Sequence, residues 1–283
     1  MGSRLARRLL DHGYKVTVYD QNQSSVQALL KYGAKGADNY AVLAESADVI
    51  LSCLTNDAAV RAVYLGRDGV LAAAKPGAVV VDMSTVSPTT SRQVNAQGVK
   101  LGLKVMDVAI SGSTPAVDQG TITLLAGGDQ DVFDAAEPIF DAVASQYFLL
   151  GPSGSGTSMK LVVNTLLGIG MQAVAEAIAL GEAEGLDRKR LLDVLAQTAV
   201  IAPAHKGKLA KAENNDYSSQ FGVALMNKDF HLILDVAKSA NLDLPATAAS
   251  YEVNSLAFKE DPTADFSCVI RQMEKSANSP ASK

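Results

Sequence analysis

The run Gly156-Thr157-Ser158-Met159-Lys160-Leu161-Val162-Val163-Asn164 sets an amine and an amide four residues apart. On a helix that spacing puts both side chains on one face. Their neighbours Met159, Leu161, Val162, Val163, Leu166 and Leu167 are apolar. A lysine in such company either lays its stem along the surface with its ammonium in water, or is desolvated. Desolvation lowers a lysine pKa towards the working pH and suits it to give and take a proton. Asn164 would then hold a substrate hydroxyl or fix the ammonium. Taken alone, the run leaves both readings open.

Two further groups carry chemistry. From Asp107 to Thr121 the sequence predicts a strand, a loop of small residues containing Ser111, Gly112 and Ser113, and a return to strand. Hydroxyls and exposed N–H groups at the carboxyl end of a strand lie where open α/β sheets bind ligands, and they suit a carboxylate. A plain tight loop is the alternative. The third group is Met1-Gly2 and Asp20. A dinucleotide fold runs strand, G-x-G-x-x-G, helix, strand, acid. Gly2 opens an amphipathic helix and precedes Asp20 by about the spacing that separates the motif's last glycine from its ribose-binding acid. On that reading the first strand and the leading glycines are missing from this numbering. The alternative is an ordinary helix–strand start.

Composition narrows the classes. The 283 residues suffice for one large domain or two ordinary ones. Lys+Arg number 25 against 30 Asp+Glu, a net charge of -5, which argues against binding nucleic acid by bulk charge. Aromatics are 5% and Trp is absent, so stacking platforms are not expected. Cys53 and Cys268 form no metal or disulfide pattern, and His12, His205 and His231 do not cluster. No uninterrupted apolar run reaches about 18 residues, so no membrane span is expected. The basic N-terminus lacks a following apolar stretch, so a cytoplasmic protein is expected.

These groups need elements to hold them. Helices are predicted over Arg4–His12, Ser24–Tyr32 and Asp131–Ala144, with another after Ser87-Pro88. Strands are predicted over Lys15–Tyr19, Val49–Leu54, Val79–Met83, Lys104–Ala109 and Thr121–Ala126. Strands separated by helices imply a doubly wound parallel sheet. After Gly151-Pro152-Ser153-Gly154 the pattern turns helical, with one long helix over Thr157–Gly185 and others over Lys228–Ala240 and Val253–Phe258. The boundary therefore falls near 151, giving an α/β domain over 1–150 and an all-α domain over 151–283. The tail Ala277–Lys283 is expected to fray.

Several of these motifs, in this order, resemble the β-hydroxyacid dehydrogenase family, which includes 3-hydroxyisobutyrate dehydrogenases and glyoxylate/succinic semialdehyde reductases. The resemblance rests on Met1-Gly2, Val81-Asp82-Met83-Ser84-Thr85-Val86-Ser87-Pro88, the Ser111-Gly112 loop and Lys160-x-x-x-Asn164. Asn227-Lys228-Asp229 and Ala264-Asp265-Phe266-Ser267 complete it. It implies an NAD(P)-binding Rossmann domain, an all-helical substrate and oligomerisation domain, and a long helix joining them. It implies Lys160 as general acid/base and Asn164 as the residue that places the substrate. Ser111, Gly112 and Ser113 would bind the substrate. Met1, Gly2, Asp20, Leu54, Thr55, Ala59, Thr85 and Lys228 would bind the cofactor. The partner would be a small hydroxy acid or semialdehyde, and the assembly a homodimer or homotetramer.

The departures inform. The family's usual Ser-Gly-Gly is Ser111-Gly112-Ser113 here, which resembles the glyoxylate/succinic semialdehyde reductase branch. Asp20-Gln21 stands where NADP-dependent members usually place Asn-Arg. A carboxylate there accepts from the ribose hydroxyls and repels a 2′-phosphate, so NAD is expected over NADP. A decarboxylating 6-phosphogluconate dehydrogenase would have His where this chain has Val163. A non-catalytic dehydrogenase-like module is the other alternative. The remaining polar residues are read as bland. His205 and His231 are taken for surface or packing residues and Cys53 for a core thiol. Asp118 and Gln119 complete the loop, and Lys206–Lys211 is a solvated face.

Overall fold

The computed structural model describes residues 1–278, with 279–283 outside the described residues. The chain forms two compact units, Met1–Lys160 and Leu161–Lys283.

The first unit runs α1 (Gly2–Asp11), β1 (Thr17–Val18), α2 (Gln23–Leu30), β2 (Lys35–Gly36), α3 (Tyr40–Ser46), β3 (Val49–Ser52), α4 (Asp57–Leu65) and α5 (Val70–Ala73). It continues with β4 (Val79–Asp82), α6 (Pro88–Lys100), β5 (Lys104–Ser111), α7 (Thr114–Gln119), β6 (Ile122–Gly127), α8 (Gln130–Val143) and β7 (Ala144–Leu149). Several of its helices start on side-chain caps: Asn22, Asn39, Asn56 and Ser87 each accept an N–H of the first turn. Two cores sandwich the larger sheet. Val79, Val81, Met106, Val108 and Ile110 pack with α1 and α8 on one face, and Ile50, Val80 and Val105 pack with α4 and α6 on the other.

The expected α/β class is present, with differences in detail. The strands form two sheets, β1-β2 and β3-β4-β5-β6-β7. β1 is shorter than Lys15–Tyr19 because its one strand partner spans only Lys35–Gly36. β6 runs antiparallel to β5, while the other pairs in the larger sheet are parallel. The connection between them, residues 112–121, is shorter than the dozen or more residues a parallel crossover needs. That connection is also not a plain loop, because α7 occupies most of it. β7 was not expected: Ala144–Leu149 follows α8 without a break and pairs with β6.

The second unit takes up α9 (Ser155–Ala183), whose first turn belongs to the first unit. It adds α10 (Arg188–Gln197), α11 (Pro203–Glu213), α12 (Val223–Ser239), α13 (Pro245–Glu260), a short 3-10 turn (Phe266–Cys268) and α14 (Val269–Asn278). Its core gathers Met171, Val174, Ile178, Leu192, Leu209, Met226, Phe230 and Ile270. Ala277 and Asn278 are helical rather than frayed, and the rest of that expected tail lies outside the described residues.

α9 has no uninterrupted apolar run of about 18 residues, as expected, yet by length and mean hydropathy it could cross a membrane. Its 29 residues include an 18-residue window of mean hydropathy 1.6. Nearly half of that window is buried inside the protein, and its buried faces carry Asn164 and Gln172, as suits a core helix. The expectation of a solvated face over Lys206–Lys211 fails at its centre. The Lys208 ammonium is buried, 2.8 Å from Asp265 Oδ2 and 3.1 Å from Gln220 Oε1, because α11 turns that residue inward.

Candidate active site

In the first unit the parallel strands end together. Ser52, Asp82 and Asp107 are in register across β3, β4 and β5. Leu54 and Thr55 lie two and three residues past the end of β3, and Thr85 three past the end of β4. β5 continues four residues past that line to Ser111, about 13 Å at the usual rise per residue. The start of α1 meets the same edge, where a Cβ built on Gly2 would lie 3.6 Å from Cys53 Cβ. One carboxyl edge thus carries Met1, Gly2, Leu54, Thr55, Thr85, Ser111 and Gly112. Asp20 sits beyond the end of β1 in the separate two-stranded sheet, exposed, with Oδ1 accepting the Asn22 N–H at 2.8 Å.

Hydrogen bonds hold this edge. Ser52 Oγ (2.7 Å), Ser84 N–H (3.1 Å) and Ser84 Oγ (2.5 Å) all donate to Asp82 Oδ1, and the Leu54 N–H donates to Ser84 Oγ at 2.8 Å. Tyr64 OH donates to Ser52 Oγ at 2.7 Å. Burial pushes the Asp82 carboxyl above its ordinary range, and the donors offset only part of that. At the start of α4 the Ala59 N–H is taken by the Asn56 cap at 2.9 Å. Ala59 therefore offers a ligand its methyl group and no free donor.

Gly112 has a φ of +149°, and a Cβ there would stand 2.8 Å from Ile122 Cγ2. Backbone at this position can approach a ligand in a way that a bulkier residue forbids. Ser113 is exposed at the start of α7, and its side chain makes no capping bond.

In the second unit Asn164 is fully buried. Its Nδ2 donates to Asp229 Oδ2 at 2.6 Å, and the Lys228 ammonium stands 2.7 Å from Asp229 Oδ1. A carboxylate only accepts, so Asp229 sets the flip of the amide. Asn164 Oδ1 is left buried with no hydrogen-bond partner. Asn164 and Lys228 are thus joined through Asp229, a residue that the sequence places in the motif but to which the reading gave no role. The signal that could have found it is its acidity on an otherwise apolar helix face. Lys160 is half-buried on α9, one turn before Asn164.

The residues read as bland divide: the histidines are packing or surface residues, whereas Asp118, Cys53 and Lys208 depart from that reading. His205 is buried, with Nε2 3.0 Å from the Leu167 carbonyl, and burial holds its pKa below the usual range. His231 is exposed beside Asp235. Asp118 pairs with Arg4 rather than only completing a loop. Cys53 is half-buried, and desolvation pushes its thiol up. Among the described residues no group of His, Cys, Asp or Glu could hold a metal.

Residues 1–151 match the family model described as the NAD binding domain of 6-phosphogluconate dehydrogenase, and 154–273 match that of the NAD-binding of NADP-dependent 3-hydroxyisobutyrate dehydrogenase. The chain is 34% identical to an NAD-dependent L-serine dehydrogenase of Pseudomonas aeruginosa, over 95% of this chain and 93% of that protein. It is 31% identical to glyoxylate/succinic semialdehyde reductase 1 of Arabidopsis thaliana, over 97% and 95%. Its fold is similar to that of a Mycobacterium tuberculosis 3-hydroxyisobutyrate dehydrogenase solved with L-serine, with a TM-score of 0.87 and 27% identity over 96% and 95% of the two chains.

The chain belongs to the β-hydroxyacid dehydrogenase family. It is an NAD(P)-dependent oxidoreductase of the hydroxyacid dehydrogenase and reductase type, and that reading stands over a non-catalytic module and over a decarboxylating enzyme.

Proposed function

We propose that the chain interconverts a small 3-hydroxy acid, or the hydroxy acid of a short semialdehyde or 2-oxoacid, with its carbonyl form, using Lys160 as general acid/base. The observation that carries this is the Asn164 amide. Asp229 pins its nitrogen, and its buried Oδ1 is left to accept a proton donor one helical turn from Lys160.

The fit to the cofactor rests on the edge described above. The Gly2 and Ser3 N–H groups at the start of α1 have no acceptor within the helix and favour an anion. Met1, Gly2, Leu54, Thr55, Ala59 and Thr85 would hold the dinucleotide, with Lys228 as a further contact, and Asp20 would accept from the ribose hydroxyls. The absence of a cation after Asp20 supports NAD over NADP. The nicotinamide supplies or takes the hydride when bound. Ser111 and Gly112 would bind the substrate carboxylate, and Ser113 would narrow the space beside it. Lys160 gives its proton to the carbonyl oxygen during reduction and takes it from the hydroxyl during oxidation. Asn164 Oδ1 accepts from that hydroxyl or from the ammonium and holds the two in line.

The test is an assay with NADH and NADPH on glyoxylate, succinic semialdehyde and methylmalonate semialdehyde, and in reverse on 3-hydroxyisobutyrate and L-serine. Lys160→Ala should lose about 10²–10⁴ in kcat. NADH should be preferred to NADPH. Equal rates for wild type and variant would remove Lys160 from the chemistry.

The outward face of α9 supports a homo-oligomer. Val162, Leu166 and Leu180 are exposed there, Leu166 by 72%, and a second copy is the occupant that would cover them. Light scattering that returns the mass of one chain would end this reading.

A further inference from the structure

We propose that Asp107 is a positioning residue, a buried carboxylate on β5 that fixes the first turn of α9 and thereby the direction in which Lys160 points. The proposal rests on the role just given to Lys160.

The carboxylate is buried. Oδ1 accepts the Gly154 N–H at 2.6 Å, with the Ser153 hydroxyl at 3.5 Å. Oδ2 accepts the Thr157 N–H at 2.8 Å and the Thr157 hydroxyl at 3.1 Å. These N–H groups belong to the start of the helix, where no carbonyl of its own can reach them. Other helices of the chain solve that problem locally. Asn22, Asn39, Asn56 and Asp187 each cap the helix they precede. A local cap satisfies a helix end wherever the helix lies. Asp107 lies 47 residues before Gly154 in the chain. It therefore ties the helix end to one point on the sheet.

Two more contacts make the tie rigid. A Cβ on Gly127 would come 2.7 Å from the backbone nitrogens of Ser155 and Gly156, so the helix start is pressed against the end of β6. Thr157 Oγ1 also bonds Ser91 Oγ of α6 at 2.9 Å. β5, β6 and α6 all meet the first turn. Lys160 follows Thr157 by three residues, less than one turn. Burial pushes the Asp107 carboxyl above its ordinary range. The fold accepts that cost in the same strand whose end carries Ser111. The two ends of the proposed chemistry, the carboxylate site and the amine, therefore share β5 as their common support.

The experiment compares Asp107→Asn, Thr157→Val and Thr157→Ser with wild type and Lys160→Ala, measuring kcat, KM and NADH affinity on the folded protein. In Asp107→Asn an amide N–H faces a backbone N–H, and the turn must shift. A misplaced catalytic group costs kcat, so a loss between about 10- and 100-fold is expected, with KM and NADH affinity within about 2-fold of wild type. Thr157→Val removes one hydroxyl and should lower kcat by about 2- to 10-fold, and Thr157→Ser should restore it. A merely structural aspartate would lower melting temperature and leave kcat of the folded protein unchanged, which overturns the proposal. Should Asp107→Asn fail to fold, Thr157→Val decides: an unchanged kcat overturns it. If Lys160→Ala keeps wild-type kcat, the catalytic reading fails and takes the proposal with it. If Lys160→Ala is inactive while Asp107→Asn is not impaired, the proposal alone fails.

Discussion

The two units bury aspartates in opposite ways. In the α/β unit, Asp82 and Asp107 are surrounded by neutral donors, serine and threonine hydroxyls and backbone N–H groups, and burial raises both carboxyls. In the helical unit, Asp265 accepts the Lys208 ammonium together with the N–H groups of Gln220, Phe221 and Ser267. Burial works against it there too, but the ammonium and the donors win, and its carboxyl is held below the ordinary range. A parallel sheet ends in a row of strand termini and helix starts rich in unpaired N–H groups, so an acid can be held there by neutral donors alone, although Asp82 Oδ2 keeps no partner. In the helical unit the N–H groups that reach Asp265 come from the loop before α12 and the 3-10 turn, and the ammonium of α11 adds the charge that the sheet's acids lack.

The largest effect should come from breaking the charged pair. Lys208→Met fills the space but leaves Asp265 without its cation, and should cost about 3–5 kcal/mol in urea unfolding. Asp82→Asn removes a charge that has no cation to strand. It should cost no more than about 1.5 kcal/mol, the size of one neutral hydrogen bond. Equal costs would abolish the distinction.

The smallest effect is in pH. The lowered carboxyl of Asp265 gives stability that is full above its unfolded value of 3.8 and is lost as pH falls through its folded value. The raised carboxyls of Asp82 and Asp107 do the reverse. They weaken the fold as pH rises from 3.8 through their folded values, and acid relieves them. Amide exchange on acidification should therefore show protection lost around Phe221 and Ser267 before it is lost around Ser84 and Thr157. Asp57, half-buried at the start of α4, is held low by Ser87 and Thr90 despite desolvation, so its own neighbours should behave like those of Asp265.

Most elements were legible because their signals are local. Gly13 and Gly33 follow α1 and α2 with positive φ, and Ser87-Pro88 opens α6 as a cap and first-turn pair. The long apolar helix was visible from its period. What sequence could not show is pairing at a distance. The antiparallel turn of β6 depends on the length of a connection, and the two-residue β1 depends on a partner as short as itself. The same holds at the site. That Lys160 and Asn164 share one helix was legible from a spacing of four, whereas the link of Asn164 to Asp229 spans 65 residues. Lys208 was misread because a run of lysines hides the one that points inward.

The backbone angle at Gly112 also sets a rule for anyone who would probe the proposed carboxylate site by mutation. Libraries that randomise this corner will lose their members at 112, where any side chain meets Ile122. The side chain at position 113 faces solvent and makes no capping bond to the next helix. Substitutions there should cost folding little.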